Sequence, residues 1–231
     1  MRRTPQTLTG VVLHVRSYRD SDVIVEILSP TSGRVSLLAR GGRASRKRFV
    51  GALDLFVGLR AQVAEGPNLW TLQAADVLKP RVGIRAALER IDRASLMVDC
   101  ARALSPERHE ANAIFAALDA GLDALHEGEL AQAVSVYPRL VAAAGLLPDF
   151  SVCTRCGRHG PEIALVGGQG EVLCTACAPG RAPISQAAIA VLVGGDCSDE
   201  QVAAEVETRV ADMVEAQIGR PLRSRAAMMA L

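Results

Sequence analysis

The sequence predicts an α+β protein built in several units. A five-stranded OB-fold β-barrel comes first, an α-helical domain comes next, and a four-cysteine zinc module interrupts the helices. Three observations carry this. Apolar residues up to about position 80 recur at period two, as half-buried strands require. From Val82 onward they recur three and four apart, as helices require. Cys153, Cys156, Cys174 and Cys177 form C-x2-C-x17-C-x2-C, two tight pairs at the separation of a tetrahedral metal site. The boundaries drawn from these changes are 1–80 for the barrel, 81–150 for the first helices, 151–182 for the cysteine module and 183–231 for the closing helices.

Taken in order, Gly10 to Arg16 alternates loosely as a first strand. Val23, Val25 and Ile27 share one face of a second, and Pro30-Thr31-Ser32-Gly33 has turn chemistry. Val35, Leu37 and Ala39 mark a third strand. Leu53, Leu55, Val57 and Leu59 predict a fourth that continues to Val63, with Phe56 out of phase and facing outward. Glu65-Gly66-Pro67-Asn68 turns the chain into a fifth at Leu69-Trp70-Thr71-Leu72. Five strands in about 80 residues suit a small closed barrel, and on periodicity alone an SH3-like barrel fits almost as well.

Ile84, Leu88, Ile91, Leu96 and Val98 predict a helix to Leu104, which Ser105-Pro106 stops. Ile114 to Leu125 gives a second helix, ending at Gly128. Leu130 to Val141 gives a third, with Gly145 as C-cap. Ile163–Val166 and Val172-Leu173 read as a hairpin around Gly167-Gly168-Gln169-Gly170. A short helix runs from Ile184 to Val193. Ser198-Asp199-Glu200-Gln201 reads as a capping box opening a helix to Ile218, with Val202, Val206, Val210, Met213 and Val214 as its core stripe.

With 231 residues, 49% of them hydrophobic and 22% charged, the composition is that of an ordinary globular protein. The longest apolar runs, such as Leu140–Ala144, are too short to span a bilayer. The N-terminus leads into a strand pattern rather than a signal-peptide core, so the expected location is cytoplasmic. That compartment favours metal binding over disulfides for the four cysteines. A redox role is the other reading, but redox C-x-x-C motifs sit singly at a helix start, whereas two occur here among turn residues. Cys100 falls on an apolar helical stretch and Cys197 in a loop.

Net charge is +1, yet residues 1–81 hold 13 Lys/Arg against 6 Asp/Glu, and the remainder 13 against 19. A basic head on an acidic body points the head at a polyanion. Arg40-Gly41-Gly42-Arg43-Ala44-Ser45-Arg46-Lys47-Arg48 concentrates that charge between two predicted strands, where it would project from a barrel rim toward phosphates. Arg16, Arg19, Arg34 and Arg60 are candidates to extend the patch. Tyr18, Phe49, Phe56 and Trp70 are the only aromatics before residue 81, so phosphate contact rather than base stacking is expected to dominate.

No hydrolase, metalloprotease, Walker or Rossmann motif is present, and His14, His109, His126 and His159 are scattered. Four cysteines close a metal site without leaving a position for substrate. The expectation is a protein without catalytic residues. A zinc-ribbon module acting on RNA or in transcription is the alternative binding role.

The segment from Gly10 to Asp22 resembles the opening strand and turn of the RecO family of bacterial recombination mediators. Thr31-Ser32-Gly33-Arg34 and Ala39–Arg43 resemble later stretches of the same N-terminal region. Gly145-Leu146-Leu147-Pro148 ahead of Cys153-Thr154-Arg155-Cys156-Gly157 is similar to that family's approach to its zinc module, and Ile218–Ser224 to its C-terminal signature. The resemblance covers nearly the whole chain. It implies an OB-fold, a helical domain, one structural zinc ion, and a nucleoid-associated role in DNA repair by homologous recombination. RecO proteins bind single- and double-stranded DNA and anneal complementary strands. With RecR, and in some bacteria RecF, they help load RecA onto DNA coated by single-stranded-DNA-binding protein (SSB), whose acidic, apolar tail they recognise. The DNA role falls on Arg40, Arg43, Arg46, Lys47 and Arg48, with Arg34 beside them. Arg220, Arg223 and Arg225 are cations available for the tail.

Overall fold

In the computed structural model, residues 5–45, 47–160, 162–166 and 171–228 are described. Five strands, β1 (Gln6–Tyr18), β2 (Asp22–Ser29), β3 (Gly33–Ala39), β4 (Gly58–Ala64) and β5 (Trp70–Lys79), close in the order β1-β2-β3-β5-β4. Closure comes from a short parallel β3–β5 pairing, Leu37 opposite Trp70 and Ala39 opposite Leu72, while every other neighbour is antiparallel. This is an OB-fold, which decides between the two barrels that periodicity allows. Alternation fills the interior: Val12, Val25, Ile27, Val35, Leu37, Leu59, Val63 and Leu72 form the barrel core.

The fourth strand differs from its expectation. Residues 50–57 form turns across the barrel end, and β4 begins only at Gly58. Phe56 adopts a positive φ of 73° and is buried against the helical core instead of facing out. Its N–H donates to the Val12 carbonyl and Val12 N–H donates to Val57, so this segment is anchored to β1 and cannot run on as strand. The period-two pattern at residues 53–59 belongs in part to a capping loop, because the chain has to cross the barrel mouth there.

After a 3₁₀ turn at Val82–Ala86, seven helices are present among the described residues: α1 (Leu88–Leu104), α2 (Asn112–Glu127), α3 (Leu130–Val134), α4 (Tyr137–Ala143), α5 (Gln186–Leu192), α6 (Glu200–Ile218) and α7 (Arg223–Met228). The helix expected from Leu130 to Val141 is broken in two. Pro138, in the first turn of α4, has no N–H to give to the preceding turn. Gly145 ends α4 at φ 71°, with Gly145 N–H bonded to Ala142 and Leu146 N–H to Val141, a Schellman cap. Asp199 alone caps α6, its Oδ1 accepting from Gln201 and Val202. Helices before and after the cysteine module share one core, in which Met97, Leu118, Leu122, Tyr137, Leu140, Val206 and Val210 are buried. Cys197, although in a loop, is buried there too.

Barrel residues Val11, Leu13, Leu28 and Phe56 pack into the helical core, and two polar contacts reinforce that junction. The β2–β3 turn meets the α1–α2 loop by backbone: Arg34 N–H donates to Pro106 at 2.9 Å and Ala111 N–H to Pro30 at 2.9 Å. Gly33 permits the approach, because a Cβ there would stand 2.2 Å from the His109 carbonyl. The second is Arg81, 2% exposed. Its guanidinium donates to Asp123 Oδ1 at 2.8 Å, to the Phe56 carbonyl at 2.9 Å, and to both the carboxylate and carbonyl of Asp119. Lys79 adds bonds of 2.6 Å to each carboxylate. Burial alone would raise the Asp123 pKa, but hydrogen bonds from Lys79 and Arg81 outweigh it and hold it below the ordinary carboxylate range.

Replacing Arg81 by Met leaves Asp119 and Asp123 with Lys79 as their remaining cation and removes the side-chain donor to the Phe56 carbonyl. We expect a loss of about 3 kcal/mol, the scale for breaking one side of a buried ion pair, read as an earlier urea midpoint at unchanged slope.

In the body, buried Arg93 on α1 pairs with Glu89, Glu200 and Glu207. Burial pushes Glu207 up to about 7, against the pull of Arg93 and with a further push from Glu200 and Glu89. A carboxyl whose folded pKa lies above its ordinary 4.5 favours the folded state at low pH. That contribution is lost as pH rises from 4.5 through about 7. Thermal melts across this window should show stability falling by on the order of 2 kcal/mol, and Glu207→Gln should remove most of the slope.

Candidate metal centre and nucleic-acid interface

The cysteine module begins where Phe150 packs into the helical core. The antiparallel pair β6 (Ile163–Val166) and β7 (Glu171–Cys174) carries Cys174 at its end, opposite Ile163. The expected hairpin is present in its strands; its Gly167–Gly170 turn lies outside the described residues. Two backbone turns aim the sulfurs. Gly157, at φ 69°, donates its N–H to the Cys153 carbonyl at 2.9 Å, and the N–H groups of Cys177 and Ala178 donate to Cys174 at 2.9 and 3.0 Å. Thr154 ties the first turn to β7 through the Val172 carbonyl, and Arg155 ties it to the second turn through the Cys177 carbonyl at 2.9 Å.

All four Sγ atoms consequently lie within 4.8 Å of one another, Cys156 and Cys174 at 3.8 Å. Sulfurs bound at about 2.3 Å to one tetrahedral ion stand about 3.8 Å apart, so the set fits a single metal ion. Backbone N–H groups, first that of Cys174, aim at the Cys153 sulfur and bring its pKa to about 6, favouring the thiolate a metal needs. As free thiols the set must share protons: Cys177, donating toward Cys156 and Cys174, is pushed up to about 12. His159 turns its Nδ1 to the Ser151 carbonyl at 3.1 Å and stands outside the cluster. Among the described residues, the module's own apolar cluster holds only Leu173 and Ala178 besides cysteines. Cys153→Ser or Cys174→Ser should therefore abolish stoichiometric metal and open the module to proteolysis, with the barrel still folded. Elemental analysis and limited proteolysis of the full chain check both outcomes.

The basic loop leaves β3 at the rim where β1 turns into β2. Asp22 Oδ1 accepts the Gly41 N–H at 2.8 Å, and the Ser21 carbonyl accepts the Arg43 N–H at 3.1 Å, which docks the loop on that turn. Gly41 takes φ 63° to open a 3₁₀ turn at Gly42–Ala44. Arg40, Arg43, Lys47 and Arg48 are all exposed; Arg46 lies outside the described residues. Arg48 has a second task. It donates to the Arg40 carbonyl at 2.6 Å and stacks over the Phe49 ring at 4.7 Å, folding the loop back on itself. Arg19 joins the same rim, its guanidinium 5.2 Å above the half-buried Tyr18 ring.

Arg34 and Arg60 are placed elsewhere. Arg34, at the opposite end of β3, pairs with Glu107 at 2.8 Å and Glu26 at 3.5 Å, so its charge joins barrel to helices. Arg60 faces out from β4 across from Asp76. Phe49, Phe56 and Trp70 are buried, which leaves Tyr18 as the one early aromatic with an accessible face. No helix among the described residues is long and apolar enough to cross a membrane.

A closed OB barrel with a cationic rim, joined to a helical body that carries a four-thiol centre, has the architecture of a nucleic-acid-binding class of protein. Family comparison gives the particular member of that class. The model of the recombination protein O N-terminal domain matches residues 1–81, and that of its C-terminal domain matches residues 85–226. The chain belongs to the RecO family of DNA repair proteins. It is 36% identical over 238 residues to the DNA repair protein RecO of Anaeromyxobacter dehalogenans strain 2CP-C, covering 94% of this chain and 93% of that one. It is 39% identical over 196 residues to the protein of Anaeromyxobacter sp. strain K, covering 80% and 77%. It is 33% identical over 234 residues to that of Nocardioides sp., covering 94% and 96%.

Proposed function

We propose that this chain is a non-enzymatic DNA-binding mediator of recombinational repair, with Zn2+ as the structural ion of its four-cysteine module. The observation that carries the reading is the rim of the barrel, where Arg19, Arg40, Arg43, Lys47 and Arg48 crowd around the docked β1–β2 and β3–β4 loops. Guanidinium and ammonium groups so arranged bind phosphates along a strand by releasing counterions and carry little base identity. Two complementary strands held on one cationic surface repel each other less, which favours annealing. Membership of the RecO family supports partnership with RecR, delivery of RecA to SSB-coated DNA and recognition of the SSB tail, with RecF as a further partner. Zn2+ suits four thiolates because it has no redox chemistry and accepts tetrahedral sulfur.

Arg43→Ala/Lys47→Ala should weaken oligonucleotide binding about equally for different base sequences. Because each single-strand phosphate contact contributes about 0.7 to the slope of log K against log salt, the slope should flatten by roughly 1.4. Annealing of SSB-coated oligonucleotides should fall in parallel. Coating with SSB that lacks its tail should slow annealing by the wild type, while its annealing of bare strands stays normal. A folded double variant with the wild-type salt slope would refute the rim assignment. Displacement of DNA by structured RNA at equal concentration would favour an RNA-binding role instead.

A further inference from the structure

A second basic surface lies on the seam between barrel and helices. His14 and Arg16 occupy alternate positions of β1, so both project from the outer face of the barrel. Arg102 of α1 and Arg223 of α7 wall the resulting cleft, a hollow of about 210 Å³. An adjoining hollow shares Arg102 and Arg223 and adds Arg220.

The carboxylates facing this cleft are already engaged. Glu26 receives Arg102 through two bonds of 2.8 and 2.9 Å, and Arg34 stands 3.5 Å away. Asp99 accepts the Ser224 N–H at 2.7 Å, which anchors α7. Arg16 and Arg220 are exposed and have no carboxylate partner among the described residues. Arg223 has His14 as its neighbour, Nη1 to Nε2 at 3.3 Å. A guanidinium only donates, so the imidazole accepts and is neutral in that contact. Arg16, Arg34, Arg102, Arg220 and Arg223 thus line two adjoining hollows against the carboxylates of Glu26 and Asp99, which leaves the cleft with an excess of positive charge.

The lining selects the anion. Ile24 is the single apolar side chain of the larger hollow, so an acidic peptide with apolar anchors finds no socket there. Phosphates need none. The surface is also continuous with the rim: His14, Arg16 and Tyr18 succeed one another on the same face of β1. At about 3.3 Å per residue, they span roughly 13 Å. One strand can lie across both regions.

We propose that this cleft is a phosphodiester-binding site in which Arg16, Arg220 and Arg223 hold the backbone of a nucleic-acid strand that continues onto the rim loop. The proposal rests on the rim being a DNA surface, and it makes the C-terminal segment part of that surface.

The test is oligothymidylate binding by fluorescence anisotropy over a salt series, with wild type, Arg43→Ala/Lys47→Ala, and Arg16→Ala/Arg220→Ala/Arg223→Ala. The triple variant should flatten the wild-type salt slope by roughly two units, at about 0.7 per contact, with the rim intact. Lysine at the same three positions should restore the slope. If the triple Ala variant fails to fold, Arg16→Ala alone, on an exposed strand position, should flatten it by about 0.7. A wild type whose binding ignores salt would overturn the rim reading and this one together. A rim variant that behaves as expected beside a folded cleft variant with unchanged slope would overturn this proposal alone. So would a polyglutamate peptide that binds wild type and loses binding in the cleft triple while the DNA slope is unchanged, since the cleft would then belong to acidic protein.

Discussion

A guanidinium buried at the junction of two structural units must have its donors answered from both, and Arg81 meets that condition in a way that fixes the whole molecule. It lies just past the end of β5, so its backbone belongs to the end of the barrel. Two of its acceptors, Asp119 and Asp123, belong to α2, and a third is the Phe56 carbonyl of the barrel's capping loop. The residue adopts φ 45°, a left-handed conformation that costs on the order of 1–2 kcal/mol for a side chain with a Cβ. The four hydrogen bonds hold it there. Without them the barrel would retain its own core, and its angle to the helices would rest on the backbone weld at Gly33, the Lys79, Arg34 and Arg102 pairs, and the packing of Val11, Leu13 and Leu28 into the helical core.

That angle matters for the surface chemistry. Arg16 and His14 sit on β1, whereas Arg220 and Arg223 arrive some two hundred residues later, and their cleft exists only because the barrel is held against α1 and α7. The rim loop depends instead on local acids. Asp22 commits its carboxylate to the Gly41 N–H rather than to an arginine, which positions the loop while leaving its cations facing solvent. Acids at the seam do the opposite: Glu26 neutralises Arg102 and Arg34, converting charge into attachment.

The cysteine module shows a third balance. Its apolar cluster is too small to hold two turns and a hairpin together, and the aimed backbone N–H groups favour thiolate at Cys153. A metal ion taken up by the four thiols would therefore be coupled to folding of the module, which is separate from the barrel core and joined to the helices through Phe150, Ile163, Val172 and Ile184.

Sequence alone determined the features that depend on local spacing. Period two in residues 10–39 specified β1 to β3, period 3.6 specified α1, α2 and α6, and two C-x-x-C pairs specified the sulfur cluster, because in each case the side chains that must meet are near neighbours along the chain. The dense charge of residues 40–48 was legible for the same reason. Phe56 and the capping segment around Leu55 were not, since each answers to the parts of the fold placed beside it, whereas the break at Pro138 is a local signal that the apolar period of residues 130–141 masked. Asp119 and Asp123, four apart on α2, were a faint signal of a paired acceptor, as were Lys79 and Arg81, two apart. Which acid meets which base was a tertiary decision, as was the fate of each arginine: Arg34 and Arg102 became struts, Arg48 a brace, and Arg16, Arg43, Lys47 and Arg220 remained open to a ligand. Charge is written in the sequence, but whether it is neutralised inside the fold depends on which carboxylate the chain brings within reach.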